Sequence, residues 1–173
     1  LFSSLPLSLP CSPWCGWPAA SDVFTGHLVG SASLAKVARA LPRLALGDLR
    51  LTLAEACAAP AALRGHQPEH DRTRACHAAG FFVPGRGIIL AREDVGRHNA
   101  LDKLAGALAS AGLEPASGAG VLTSRVSTEM GQKSVAMGAP VLIAVSSATD
   151  YAMTLATRAA LTLVTRTRRG HCE

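Results

Sequence analysis

Arg92-Glu93-Asp94-Val95-Gly96-Arg97-His98-Asn99-Ala100-Leu101-Asp102-Lys103 is the stretch on which the fold turns. Before it, Gly87-Ile88-Ile89-Leu90-Ala91 follows the turn signal Pro84-Gly85 and reads as a short buried strand, a β-branched apolar run bounded by turn residues. After it, Leu101, Leu104 and Leu108 recur at helical spacing up to Gly112, a residue suited to ending a helix. The stretch therefore caps a strand and opens a helix. It holds three acidic and three basic side chains, a histidine and a glycine. That is more than solubility needs, and strand-to-helix loops are where open α/β sheets bind ligands.

Toward the C-terminus the same pattern returns. Gly120-Val121-Leu122-Thr123 is a strand ending in Ser124-Arg125-Val126-Ser127, and Ser127 is placed to cap a helix running through Glu129, Met130 and Lys133 to Gly138. Pro140 to Val145 is the next strand; Ser147-Ala148-Thr149-Asp150 resembles a capping box before a helix over Tyr151 to Leu161, and Leu161-Thr162-Leu163-Val164 is the last strand. Strands alternating with helices call for crossover connections, a largely parallel sheet and helices on both faces. The strand ends then fall side by side. Arg92 to His98, Ser124 to Ser127, Ser146 to Thr149 and Arg166 to His171 line one edge, where helix N-termini and arginines favour phosphate. Capping alone accounts for some of Ser127, Ser147 and Thr149, but not for Arg92, Arg97, His98 and Arg125 together.

Toward the N-terminus, His66 to Phe82 reads as a polar loop running into a strand, with His77 at the strand start as a ligand contact. His66, His70, Cys76 and His77 lack the paired spacings of zinc sites, so no metal held by the protein itself is expected. Helices are expected from about Ser33 to Leu41 and from Leu51 to Leu63, covering the sheet, with Cys57 packed in the core. Residues 1 to 26 are rich in Pro, Ser, Gly and Trp without periodicity, an irregular segment that precedes an α/β/α domain over 27 to 173. Its chemistry sits in Cys11-Ser12-Pro13-Trp14-Cys15-Gly16. Two thiols at that spacing can meet one reactant, exchange with each other, bind a metal, or be two unconnected small apolar residues, and spacing does not choose among these.

The 173 residues fit one domain able to bury a real core. Leu1 stands where a start methionine is expected, so the chain reads as lacking its natural start. The formal charge of +5 comes almost wholly from arginine, since Lys36, Lys103 and Lys133 are the lysines, and arginine grips phosphate or carboxylate with two hydrogen bonds. Nucleic acid is the competing inference and is disfavoured, because the basic residues are dispersed outside Arg166-Thr167-Arg168-Arg169 and no aromatics interleave with them. Five cysteines are an odd number for a disulfide framework and point to a reducing compartment. The apolar start has no basic region, is broken by prolines and is too short to span a bilayer, so a cytoplasmic protein with no membrane partner is expected.

The stretch Arg92 to Lys103 resembles the signature of the formate dehydrogenase accessory sulfurtransferases, the FdhD family. Thr73-Arg74-Ala75-Cys76-His77-Ala78-Ala79 is similar to that family's T-G-G-x-H-A-A, and Ser124 to Lys133 and Val145 to Thr149 add to the resemblance, which covers residues 67 to 164. It implies a three-layer α/β/α fold with a cytidine-deaminase-like mixed sheet. It also implies a persulfide-forming sulfurtransferase that accepts sulfur from a cysteine desulfurase and passes it to the molybdenum bis(guanine dinucleotide) cofactor of formate dehydrogenase. Cys11 and Cys15 are then the catalytic residues; His77, Arg92, Asp94, Gly96, Arg97, His98, Arg125, Ser127, Arg166, Arg168, Arg169 and Gly170 are the cofactor-binding ones. A homodimer is the assembly kept in view. The chain departs from the family in three places. The family's C-G-x-C-G becomes a pair spaced by three residues, so that without a gap Cys15 takes the second position and Ser12 the first; the family's N-terminal portion is missing; and residues 165 to 173 diverge from its G-F-x-R-x-G-R segment. Two other readings stand beside the sulfurtransferase: a module that binds the guanine-nucleotide cofactor without sulfur chemistry, and a zinc deaminase, the weakest because C-x3-C replaces C-x2-C and no H-x-E precedes it.

Overall fold

The computed structural model describes residues 41–45 and 49–167, all within the compact unit Leu41–Glu173. Of the helix expected over Ser33 to Leu41, all but Leu41 lies outside the described residues, and Leu41 itself is not helical. The elements, in chain order, are α1 (Leu53–Arg64), α2 (Pro68–Thr73), β1 (His77–Val83), β2 (Gly87–Asp94), α3 (Arg97–Ser110), a 3₁₀ turn (Pro115–Ser117), β3 (Ala119–Leu122), α4 (Thr128–Met137), β4 (Val141–Ala144), α5 (Asp150–Ala159) and β5 (Thr162–Val164).

The five strands form one sheet in the order β2-β1-β3-β4-β5. β1 runs antiparallel to both neighbours, while β3, β4 and β5 are mutually parallel. The sheet is therefore mixed, as the family resemblance implies, and less parallel than the strand–helix alternation by itself suggests. The cause is local. Three residues, Pro84 to Arg86, join β1 to β2, whereas a parallel return needs a crossover of a dozen or more. Gly85 and Gly87 take φ of 73° and 75°, and Arg86 N–H donates to Val83 O at 3.0 Å to close the turn. β2 is consequently an edge strand and half-buried, not the buried strand expected from its apolar run.

Alternation along the strands divides the core in two. Leu142 and Ala144 of β4 face one layer with Phe81, Leu122, Leu104 and Leu108, against α3, α4 and α5. Val141 and Ile143 face the other with Phe82, Val121 and Leu63, against α1. This is the three-layer α/β/α arrangement, and each fully buried Leu or Phe contributes about 1.5–3 kcal/mol of burial to it. α1 starts where Thr52 and Glu55 form a reciprocal capping box, and it buries Ala56, Ala59, Pro60 and Leu63. Cys57, on the same helix, is half-buried rather than in the core.

The caps read from sequence are in place, with one change. Ser127 accepts from Met130 N–H, and Gly138 ends α4 at φ 91°. Thr149 caps α5 by accepting from Ala152 N–H at 3.3 Å, a single cap rather than a box. α5 stops at Ala159 because Ala160 turns left-handed at φ 55°, so Leu161 falls outside the helix. The segment read as a polar loop before β1 contains the short helix α2, started by Pro68.

Candidate functional site at the carboxyl edge of the sheet

β1 pairs His77 with Asp94 and Ala79 with Leu122, and β3 pairs Leu122 with Ala144. These registers bring the start of β1 and the ends of β2, β3 and β4 to one edge. Beyond the strands the loops stay joined: Val126 N–H donates to Ser147 O at 3.2 Å and Thr149 N–H to Val126 O at 3.1 Å. After β5, the buried Thr167 hydroxyl donates to Ala144 O at 3.1 Å, and Arg166, held at φ 51°, donates its N–H to Ser146 O at 3.4 Å. At the start of β1, Thr123 Oγ1 accepts from Ala78 N–H at 2.9 Å.

The loop from β2 to α3 is built around Asp94. Its Oδ1 accepts from Gly96 N–H at 2.8 Å and from Asn99 Nδ2 at 3.2 Å; its Oδ2 lies 2.5 Å from Lys103 Nζ, which also donates to Glu93 O at 3.2 Å. The Lys103 ammonium, seconded by the Gly96 N–H, holds the Asp94 carboxyl down at about 2. Asp94 therefore serves the loop itself, and it stays charged throughout the physiological range.

α3 begins at Gly96 with no side-chain cap, and its first turn carries Arg97 and His98 and no acid. Free N–H groups at a helix start favour a negative partner, and basic side chains there reverse the usual preference, so an anion from outside satisfies both. Arg97 and Arg125 are exposed on this edge. Ser127 is occupied as the cap of α4. His98 packs between α3 and α4: Nδ1 is 3.4 Å from Glu129 Oε2, and Nε2 is buried with no hydrogen-bond partner. Burial, with the Lys133 ammonium acting the same way, lowers its pKa below the ordinary 6.5. Lys133 is itself paired with Asp102 at 2.5 Å. Glu129, Lys133 and Asn99 are neighbours of these side chains that the sequence does not single out. Their signal is the four-residue spacing of Glu129 and Lys133, which places both on the α4 face toward α3.

Other residues fall elsewhere. Arg92 sits within β2, its guanidinium donating to Ala91 O at 2.7 Å, and lines an open groove of about 640 Å³ with Leu90, Glu93, Lys103, Ala107 and Ser110 on the flank of the sheet. That groove adjoins the β2–α3 loop, since Lys103 lines it. Its charged side chains are engaged, since Lys103 holds Asp94 and the Glu93 carboxylate accepts from Glu69 and His70 N–H, both at 2.9 Å, fixing α2. His70 Nδ1 lies 2.7 Å from Cys76 O, a structural bond. The free thiol of Cys76 is half-buried and lies 3.6 Å from Thr73 Oγ1, and His77 is half-buried at the start of β1. Cys11, Cys15, Arg168, Arg169 and Gly170 lie outside the described residues. Among the described residues no three His, Cys, Asp or Glu side chains cluster as metal ligands, and no helix is long and apolar enough to cross a membrane.

The chain is similar to proteins named sulfur carrier protein FdhD: 44% identical to that of Agrobacterium fabrum over 131 residues, 46% to that of Bordetella bronchiseptica over 129, and 52% to that of Brucella abortus over 99. These alignments cover 76%, 75% and 57% of this chain but 48%, 46% and 37% of the relatives, so the chain spans about half or less of their length. The crystal structure of a Desulfotalea psychrophila protein assigned as a formate dehydrogenase accessory protein superposes with a TM-score of 0.71 at 28% identity, over 80% of this chain and 58% of that one. The model of the FdhD/NarQ family matches residues 20–173, and the chain belongs to that family.

Proposed function

We infer that this chain is a sulfur carrier for formate dehydrogenase maturation. Its client is the molybdenum bis(guanine dinucleotide) cofactor, its sulfur donor a cysteine desulfurase, and its carriers Cys11 and Cys15. The observation that carries the reading is the α3 start: an uncapped helix N-terminus with Arg97 in its first turn and Arg125 on the same edge suits a pyrophosphate-bearing nucleotide. Arg166, with Arg168, Arg169 and Gly170 beyond it, extends the basic character of that segment. The names of the relatives support the sulfur chemistry. In that chemistry a carrier thiolate attacks the outer sulfur of the donor's persulfide. A new S–S bond forms on the carrier, the donor's S–S bond breaks, and the donor leaves as a thiolate, so no outside oxidant is needed.

Incubating the protein with a cysteine desulfurase and cysteine, then measuring intact mass, tests this. One reducible sulfur atom is expected, lost when the carrying cysteine among Cys11 and Cys15 is replaced. A second reading, a binder of the guanine-nucleotide cofactor without sulfur transfer, is favoured by one fact: among the described residues, the edge from His77 to Arg166 is held together by its own strand pairings and loop hydrogen bonds. Retained nucleotide binding with no sulfur uptake decides for it.

A further inference from the structure

His98 presents an unusual combination. One ring nitrogen, Nδ1, lies 3.4 Å from the Glu129 carboxylate; the other, Nε2, is shut off from water and has no partner. An imidazole carries one proton when neutral, and which nitrogen holds it is set by what faces the other. A carboxylate beside Nδ1 draws the proton there, leaving Nε2 with a bare lone pair. The charged groups around the ring oppose a second proton: Lys133 from α4 and Arg97 from α3 disfavour it, against Glu129 and Asp102. A buried acceptor without a donor is costly and is rarely left so without a use.

Resting on the nucleotide-binding reading above, we propose that Glu129 is the positioning residue for His98, fixing it as the Nδ1–H tautomer whose Nε2 accepts a hydrogen bond from the nucleoside part of the bound nucleotide rather than from its phosphates. The chemistry selects that part. Phosphate oxygens are acceptors and cannot satisfy a lone pair, whereas nucleobase N–H and sugar hydroxyl groups donate. The phosphates belong with Arg97, Arg125 and the free N–H groups of α3. The His98 side chain keeps 25% of its surface exposed at the sheet edge, so the ring reaches a ligand there by a small tilt that presents Nε2 while Nδ1 stays beside Glu129. Glu129, 44% exposed, is paired with His98 across the α3–α4 seam without being part of the core.

The test is long-range ¹H–¹⁵N correlation NMR of the full chain labelled at histidine, with His98→Gln identifying the resonance. His98 is expected to show a protonated Nδ1 and a bare Nε2. Adding GDP should move the Nε2 resonance toward that of a hydrogen-bonded acceptor, while inorganic pyrophosphate leaves it in place. In Glu129→Ala the proton should redistribute toward Nε2 and GDP affinity should fall about tenfold, roughly the worth of one hydrogen bond, with Glu129→Gln recovering most of both because its amide oxygen still accepts. A proton on Nε2 in the unmodified chain, an equal response to pyrophosphate, or an unchanged tautomer in Glu129→Ala overturns the proposal. If calorimetry shows no GDP binding at all, the nucleotide reading and the Nε2 contact fall together, and the tautomer in Glu129→Ala still decides whether Glu129 positions His98.

Discussion

Lys103 Nζ stands 2.5 Å from Asp94 Oδ2, tying the second turn of α3 back to the last residue of β2. Gly96 and Asn99 hold the other carboxylate oxygen, so one side chain shapes the whole strand-to-helix loop from which Arg97 and His98 project. The loop's form therefore depends on Asp94 remaining ionised.

The acid limb of stability should report this. The folded Asp94 carboxyl is held at about 2 against an ordinary 3.8, so its stabilisation is complete above pH 3.8 and is lost as pH falls toward 2. Melting temperatures measured from pH 6 down to 2 should fall more steeply in the unmodified chain than in Asp94→Asn, which is less stable at neutral pH. Parallel curves for the two proteins would show that the pair does not support the loop.

His98 acts in a second window. Its folded pKa lies below 6.5, so the unfolded chain takes up the proton first, and stability is complete above pH 6.5 and declines as pH falls below it. Chemical denaturation at pH 8 and pH 5 should show that loss, and His98→Gln should shrink it. An unshrunken loss would place its source elsewhere.

Arg97 is exposed, so its replacement leaves the core untouched, and on the nucleotide-binding reading it removes contacts to the ligand. Arg97→Ala should weaken GDP binding by ~1.5–3 kcal/mol, the range for a hydrogen bond to a charged group, at an unchanged melting temperature. Calorimetry with GDP checks it, and equal affinity would move the phosphate site away from the α3 start.

Two glycines should behave differently. A Cβ on Gly118 would lie 2.5 Å from Phe82 O and 2.6 Å from Phe81 Cζ, both in the buried strand β1, so Gly118→Ala should cost about 1–3 kcal/mol as overpacking. A Cβ on Gly96 would meet Asn99 Nδ2 at 3.2 Å, the end of an exposed side chain that can give way. Gly96→Ala should therefore unfold at nearly the normal temperature while weakening nucleotide binding, since Asn99 then releases Asp94. Thermal melts and calorimetry of both variants separate the two effects.

Residues 1–16 hold both Cys11 and Cys15 and none of the edge residues from His77 to Arg166. Deleting them should leave GDP binding nearly intact and abolish sulfur delivery, read as formate dehydrogenase activity in cells lacking their own accessory protein. Restored activity in the truncated form would make the cysteines dispensable and favour the binder.

The order of the strands and the longer helices, most helix caps and the strand-to-helix turn before Arg97 are legible in the sequence because each follows from local chemistry. Apolar periodicity distinguishes strand from helix, Ser127 and Thr149 satisfy N–H groups within three residues, and Gly138 adopts its φ of 91° without a steric cost. The direction of β2 is legible only in part: the three-residue connection Pro84 to Arg86 makes it antiparallel, while the strand–helix alternation further on points to a parallel sheet. The burial of β2 is not legible, because an apolar run does not tell an edge strand from a central one; position in the sheet depends on pairings with residues far along the chain, such as Ala79 with Leu122. The site divides the same way. Sequence marked Arg97, Arg125 and His98 by their charge and by their place in strand-to-helix loops. Tertiary packing alone decided that Asp94 is consumed by Lys103, that Arg92 turns to the flank, and that Glu129, thirty-one residues beyond His98, sets the surroundings of its ring. Those outcomes come from the seam between α3 and α4 and from the register of β1, and contacts across such distances have no period or motif to announce them.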